Sequence, residues 1–350
     1  MAGERVVVMI ATPLEEHLVA VIESIDDHLD VRYQPDLLPP TRFPCDHRGV
    51  ESFRRTPKQE QRWRATLSEA EVLFGVPGDS AEGLADAVRA SAGLRFVQAT
   101  AGGAGQTVSA AGLSDEEVAR VAIARAGGVH AGPLAEFALF GLLAFTKGLP
   151  RLTSDKARRR WDHYPMGELA GATVLIVGLG SIGVEVARLA KAFGMRVIGV
   201  TRGGRTDSPY VDEVRTSRFL GDLLPVAHGV VLTLPLTEET EGMIDATAIA
   251  RMRTDAIVVD IGRGGVIDEA ALVQALEEGR LAGAVLDVFA TEPLPSDSAL
   301  WDLPNVIISP HTAALSVHEN ERIVALFCEN LRRYLAGDEL LSLVHPNLYY

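Results

Sequence analysis

Cysteine is nearly absent from this 350-residue chain: only Cys45 and Cys328 occur, far apart in the sequence. That excludes the disulfide framework of a small secreted domain and fits a reducing cytoplasm. Long apolar runs are missing too. No stretch reaches the ~18 residues of a membrane span. The run from Val6 to Ala11 is too short for a signal-peptide core, is followed by Glu15 and Glu16, and reads as a first buried strand. Positive charge is also short, with 33 basic side chains against 47 acidic ones and a net charge of −14. Such a surface repels polyanions and anionic bilayers, so neither nucleic acid nor a membrane is expected as a partner. The run Arg158 to Arg160 reads as a solvated helix face. No metal is expected: Cys45 and His47 are neighbours, but a site needs three or four ligands and no others cluster nearby.

The chain does contain short β-rich apolar runs alternating with helical patterns. Strands are expected at 6–10, 72–76, 95–98, 173–177, 196–200, 230–234, 256–261, 283–286 and 306–309. Runs apolar on both faces indicate parallel strands covered by helices, hence an α/β architecture. The length exceeds what one core of ~250–300 residues holds, so two domains are expected. The polar, proline-rich stretch from Pro35 to Arg64 reads as a surface excursion, and the region from Leu113 to Arg151 as mainly helical. One domain is expected over 111–315. The other domain would be discontinuous, 1–110 plus 316–350, with the last helix near Asn320 to Leu335 returning to it.

The most informative segment is Thr173-Val-Leu-Ile-Val-Gly178-Leu-Gly180-Ser181-Ile182-Gly183. A strand runs into a glycine turn and then a helix: Gly178 allows the tight turn, Gly180 lets backbone approach a pyrophosphate, and Gly183 lets helix and strand pack closely. The helix N-terminus at Ser181 and Ile182 then offers free N–H groups to the negative charge.

Four further segments make the chain resemble the D-isomer-specific 2-hydroxyacid dehydrogenase family, which includes glyoxylate/hydroxypyruvate reductases and phosphoglycerate dehydrogenases. They are Leu234-Pro235-Leu-Thr-Glu-Glu-Thr240, Asp260-Ile261-Gly262-Arg263-Gly-Gly-Val-Ile-Asp, Leu286-Asp287-Val-Phe-Ala-Thr-Glu292-Pro-Leu, and Asn305-Val-Ile-Ile-Ser-Pro-His311-Thr-Ala. In the first 110 residues only Phe96 to Gly103 matches well. The resemblance implies two Rossmann-like domains, a doubly wound parallel-sheet nucleotide-binding domain inserted in a flavodoxin-like substrate domain. It also implies a homodimer formed mainly through the nucleotide-binding domain. Leu234, Pro235, Thr240, Ile261 and Gly262 would line the cofactor, Asp287 would contact the nicotinamide carboxamide, and the backbone of Gly102 and Gly103 would bind the substrate carboxylate.

Reduction of a 2-oxo acid needs a hydride, a proton for the developing alkoxide, and a fixed cation. His311 suits the acid/base task, because imidazole titrates near neutrality. Glu292 would orient it and favour its charged form. Arg263 offers a planar fork to the substrate carboxylate and carbonyl. Each follows an apolar strand, and parallel strands deliver such ends to one rim. The other histidines, His17, His28, His47, His130, His163, His228, His318 and His345, read as surface or core residues. Asp287 has a plainer alternative, a strand-end aspartate satisfied by backbone donors. Asp260 stands where many relatives carry asparagine, with no functional account evident from sequence.

At the end of the second nucleotide-domain strand, where NAD-specific folds place a carboxylate, the chain has Thr201, followed by Arg202 and Arg205. NADP(H) is therefore the expected cofactor, with NAD(H) second. The substrate is expected to be a small 2-oxo or 2-hydroxy acid. Its identity stays open, since Ala104 and Gly105 depart from the larger apolar residue and Asp or Asn usual in relatives. Formate or phosphite oxidation is a rival, although Glu292 replaces the glutamine of the formate enzymes. A non-catalytic, corepressor-like nucleotide sensor is the rival from another class. The chain stops soon after its last helix, where many phosphoglycerate dehydrogenases append a regulatory domain.

Overall fold

The computed structural model describes residues 5–344. Two compact units emerge, Met1–His130 with Leu315–Tyr350, and Ala131–Ala314. The expected position His345 lies outside the described residues.

The first unit holds five parallel strands, β1 (Val6–Ile10), β2 (Leu29–Arg32), β3 (Val72–Phe74), β4 (Phe96–Gln98) and β5 (Ala122–Ala124), in the order β2-β1-β3-β4-β5. This is the flavodoxin-like order, whose ligand site lies beyond the strand ends where the order reverses. Both faces of the sheet are buried. Met9, Leu73 and Val97 point into one core, and Val8, Phe74 and Phe96 into the other, which the helix Glu319–Ala336 closes with Ile323, Phe327 and Leu331. The ring of Phe327 meets those of Phe74 and Phe96 at 5.1 and 5.9 Å.

The second unit holds seven parallel strands in the order β12-β11-β10-β9-β6-β7-β8. They are β6 (Thr173–Val177), β7 (Arg196–Val200), β8 (Glu213–Arg215), β9 (Gly229–Leu232), β10 (Ile257–Asp260), β11 (Gly283–Leu286) and β12 (Val306–Ile308). From β6 outward this is a doubly wound sheet with its switch point between β6 and β9. Helix Ala131–Thr146 is apolar all round because it is a core helix: Leu134, Ala135, Ala138, Leu139 and Leu142 pack against Val174, Ile176 and Val285. Among the described residues no single helix is long and apolar enough to cross a membrane.

Three expectations change. The stretch 111–130 joins the first unit, because β5 within it pairs with β4. Its short apolar segment Ala122–Ala124 was hidden in a region that reads as helical. The strands β2 and β8 were also unforeseen; each lies at a sheet edge, half-exposed and carrying charged residues, so neither shows a continuous apolar run. Finally, the excursion from Pro35 to Arg64 ends in a helix, Pro57–Glu69, which buries Trp63 and Leu67. Thr56 and Gln59 form a capping box at its start, each side chain bonding the other's backbone N–H.

Candidate active site

The nucleotide turn follows β6, at the switch point. Gly178 adopts φ +105°, a region closed to most side chains, and its N–H donates to Val200 O at 3.0 Å. The Thr233 hydroxyl, one residue past β9, donates to Gly178 O at 2.7 Å. Thr233 thus ties the turn to the neighbouring strand. A lone polar residue at a strand end carries no sequence signal for that task. A Cβ on Gly183 would stand 1.9 Å from Gly178 O, so only glycine lets the helix Ser181–Ala192 lie this close. Gly180, by contrast, is exposed, and nothing lies within 4 Å of where its Cβ would be. It is also the N-cap and provides no side-chain hydrogen bond to the helix's first N–H groups.

Beyond β7, the Thr201 hydroxyl accepts the Arg205 N–H at 3.2 Å and closes a small exposed loop. Arg202 reaches Glu239 at 3.1 Å, with both side chains about 70% exposed. Beyond β9, Thr240 is buried, and its hydroxyl bonds Thr237 N–H and Pro235 O at 2.8 and 2.7 Å, so it braces the loop that presents Leu234 and Pro235. Ile261 is buried in the core beside the sheet, and Gly262 donates its N–H to Asp260 Oδ1 at 2.9 Å.

Asp260 is fully buried, and its Oδ2 has no hydrogen-bond partner among the described residues. Burial pushes this carboxyl up to about 8, outweighing the Gly262 hydrogen bond and the Arg263 charge. At neutral pH it is therefore largely uncharged, with one oxygen accepting like a carboxamide.

The next three strand ends carry the chemistry. Arg263 lies three residues past β10, its guanidinium donating to Gly262 O at 2.7 Å. Past β11, Asp287 is buried, and its Oδ1 accepts the N–H groups of Thr312 and Ala313 at 2.9 and 3.0 Å. For that oxygen the arrangement is the backbone-satisfied one. Past β12, His311 takes φ +52°, an uncommon conformation for a non-glycine residue, held by its N–H donating to Asp287 O at 2.9 Å. The ring meets Glu292: His311 Nδ1 to Glu292 Oε2 is 2.7 Å, while Glu292 Oε1 accepts the Phe289 N–H at 3.1 Å. A carboxylate only accepts, so Nδ1 carries the hydrogen and Nε2 is left for other partners. The His311 side chain is 46% exposed. The sequence-derived histidine and glutamate thus meet directly, and Arg263 shares their sheet edge. Gly102 and Gly103 belong to the first unit, beyond β4 and half-buried.

Comparison with known proteins bears on the family and the fold. Residues 139–313 match the family model described as D-isomer specific 2-hydroxyacid dehydrogenase, NAD binding domain. A glyoxylate reductase from Korarchaeum cryptofilum is 37% identical over 63% of this chain and 67% of its own length. A D-3-phosphoglycerate dehydrogenase from Methanocaldococcus jannaschii is 35% identical over 61% of this chain but only 41% of its own. Among solved structures, a D-isomer specific 2-hydroxyacid dehydrogenase from Xanthobacter autotrophicus Py2, in complex with NADPH and MES, superposes with a TM-score of 0.76. It is 26% identical and covers 99% of this chain and 100% of that one. The class defined is a dinucleotide-dependent dehydrogenase built from two parallel-sheet α/β domains. The chain belongs to the D-isomer specific 2-hydroxyacid dehydrogenase family and is an NAD(P)-dependent 2-hydroxyacid dehydrogenase.

Proposed function

We propose that the protein reduces a small 2-oxo acid to the D-2-hydroxy acid with NADPH as preferred cofactor. The observation that carries this reading is the His311–Glu292 pair at 2.7 Å, with a half-exposed imidazole on the same sheet edge as the glycine turn. His311 gives a proton from Nε2 to the developing alkoxide in reduction and takes it back in oxidation. Glu292 fixes the ring through Nδ1, and Arg263 holds the substrate's carboxylate and carbonyl oxygens. Within the first unit, the backbone N–H groups of Gly102 and Gly103 are the candidate carboxylate-binding groups.

The bound nicotinamide supplies the hydride. Gly180, Ser181 and Ile182 would receive the pyrophosphate, on the turn and close packing that Gly178 and Gly183 allow. The open space around Gly180 and the uncapped helix fit that use. Leu234, Pro235, Thr240, Ile261, Gly262 and Asp287 belong to the nicotinamide side, where burial leaves Thr240 and Ile261 to shape the wall rather than to hydrogen-bond.

The preference for NADPH rests on Thr201, Arg202 and Arg205. No carboxylate occupies the Thr201 slot to repel a 2′-phosphate. An exposed pair such as Arg202–Glu239 is worth only about 0–1 kcal/mol, whereas a charge-assisted hydrogen bond contributes about 1.5–3 kcal/mol. The phosphate is thus the stronger partner. That the Xanthobacter structure holds NADPH supports the same choice. A homodimer through the second unit is supported by exposed apolar side chains there, Phe140 and Trp161. Cytoplasmic placement rests on the cysteine-poor composition. The test is turnover: loss of reduced-nicotinamide absorbance with glyoxylate, hydroxypyruvate, pyruvate or phenylpyruvate, with each cofactor. Cofactor binding with no turnover across that panel would favour a nucleotide sensor instead.

A further inference from the structure

The first unit contains a buried group of side chains that the reaction outlined above does not use. His130 Nε2 lies 3.1 Å from Glu319 Oε1, and His47 Nε2 approaches the same oxygen at 3.8 Å. The three side chains are 14, 4 and 10% exposed in the order His130, Glu319, His47. His47 Nδ1 is 3.4 Å from the Thr12 hydroxyl, which in turn donates to His47 O at 3.1 Å. His47 Nε2 and Glu319 Oε2 have no hydrogen-bond partner among the described residues. Burial opposes the Glu319 charge, yet the His130 hydrogen bond and the nearby His130 and His47 rings hold its carboxyl down at about 2.

An ionised carboxylate only accepts, so His130 Nε2 carries a hydrogen and the ring is fixed. Its other nitrogen then faces the glycine pair: Nδ1 lies 3.2 Å from where a Cβ on Gly102 would be. The neighbouring charges are Asp79, whose carboxyl burial pushes up, Arg48 at 3.7 Å from Asp79, and Glu15, which takes the Asn320 amide at 2.8 Å. Among the described residues no group of three or more His, Cys, Asp or Glu is arranged to hold a metal ion. The ring atom turned towards the glycine pair is thus placed to meet an anion there.

We propose that His130 is a substrate-binding residue that takes the 2-oxo acid's carboxylate together with Gly102 and Gly103, and that Glu319 and His47 are positioning residues for its ring. The proposal rests on reading the glycine pair as the carboxylate loop. Because Nε2 stays bonded to Glu319, Nδ1 donates to the carboxylate only when the imidazole is doubly protonated.

The experiment measures binding of oxamate, an unreactive 2-oxo acid analogue, by calorimetry, with kcat and KM alongside. Wild type, His130→Ala, His130→Asn and Glu319→Gln are compared on full-length protein, with the thermal midpoint as a check on folding. His130→Ala should raise oxamate Kd and substrate KM about 10–100-fold, the worth of one charge-assisted hydrogen bond, with kcat and NADPH affinity nearly unchanged. His130→Asn, which keeps an N–H donor, should recover most of the affinity. It should also remove the pH dependence of oxamate binding that donation from a doubly protonated ring gives wild type. Glu319→Gln should lie between. Oxamate Kd within about twofold of wild type in His130→Ala, or asparagine no better than alanine, would overturn the proposal. If His130→Ala does not fold, the His130→Asn pH profile decides alone: a slope equal to that of wild type overturns it. A wild type that never turns over 2-oxo acids yet loses oxamate with His130→Ala would sink the reductase reading and keep this one.

Discussion

The two units present their strand ends in different ways. In the second, neighbours in the sheet brace one another over short distances: Thr233 holds Gly178, Asp287 holds the backbone from His311 to Ala313, and Glu292 lies 19 residues from His311. In the first, the corresponding edge is assembled from distant segments, with Glu319 189 residues from His130. The sheet there is closed by a helix from the far end of the chain. One rim is held by hydrogen bonds between neighbouring strand ends, whereas the other depends on side chains from remote segments.

The largest effect should come from the local rim. His311→Asn should lower kcat by about 10²–10⁴, the usual worth of acid/base catalysis, while NADPH titration by fluorescence gives an unchanged Kd. A loss of cofactor affinity as large as the loss in rate would show that the rim does not separate the two tasks. Phe327→Ala tests the remote closure. Loss of a buried phenylalanine costs about 3–5 kcal/mol, and the melt should split, with the first unit unfolding early and the second still binding cofactor. A single, cooperative, shifted transition would break the distinction between the units.

Arg202→Ala should shrink the NADPH-over-NADH ratio of kcat/KM by about 10–100-fold. Equal efficiency of the two cofactors in wild type would remove the basis for that expectation.

The smallest effect concerns Asp260. The folded chain keeps this proton up to about pH 8, whereas an unfolded aspartate releases it near ~3.9. The group's contribution is therefore neutral at low pH and increasingly destabilising as pH rises between those values. Asp260→Asn should add little stability near about pH 4 and more than about 1.4 kcal/mol, one pKa unit, near pH 8. Urea denaturation at the two values measures it, and an equal change at both would contradict the buried, protonated state.

Legibility in the sequence follows the same division. Strands buried on both faces, such as β6 and β10, are continuous apolar runs and readable, whereas β2 and β8 at the edges carry Asp30, Arg32, Glu213 and Arg215 and are not. The glycine turn is readable because its strand, spacing and helix are contiguous. Arg263, Glu292 and His311 are readable because each closely follows an apolar strand within a family-like segment. His47, His130 and Glu319 have no such marker. Each is an ordinary polar residue in its own segment, and only the folded chain brings them to one point. The capping box at Thr56 and Gln59 lay in plain view, masked by the polar composition around it.

Closure of the first sheet by Phe327 and Leu331 also has a consequence for synthesis. As the chain leaves the ribosome, every strand of the second unit emerges before the helix Glu319–Ala336 does. The nucleotide-binding half can mature while one face of the earlier-made half is covered by the helix Glu16–Glu23 and still lacks its closing helix. For that interval the nascent chain displays Val8, Phe74 and Phe96 to whatever chaperone is at hand.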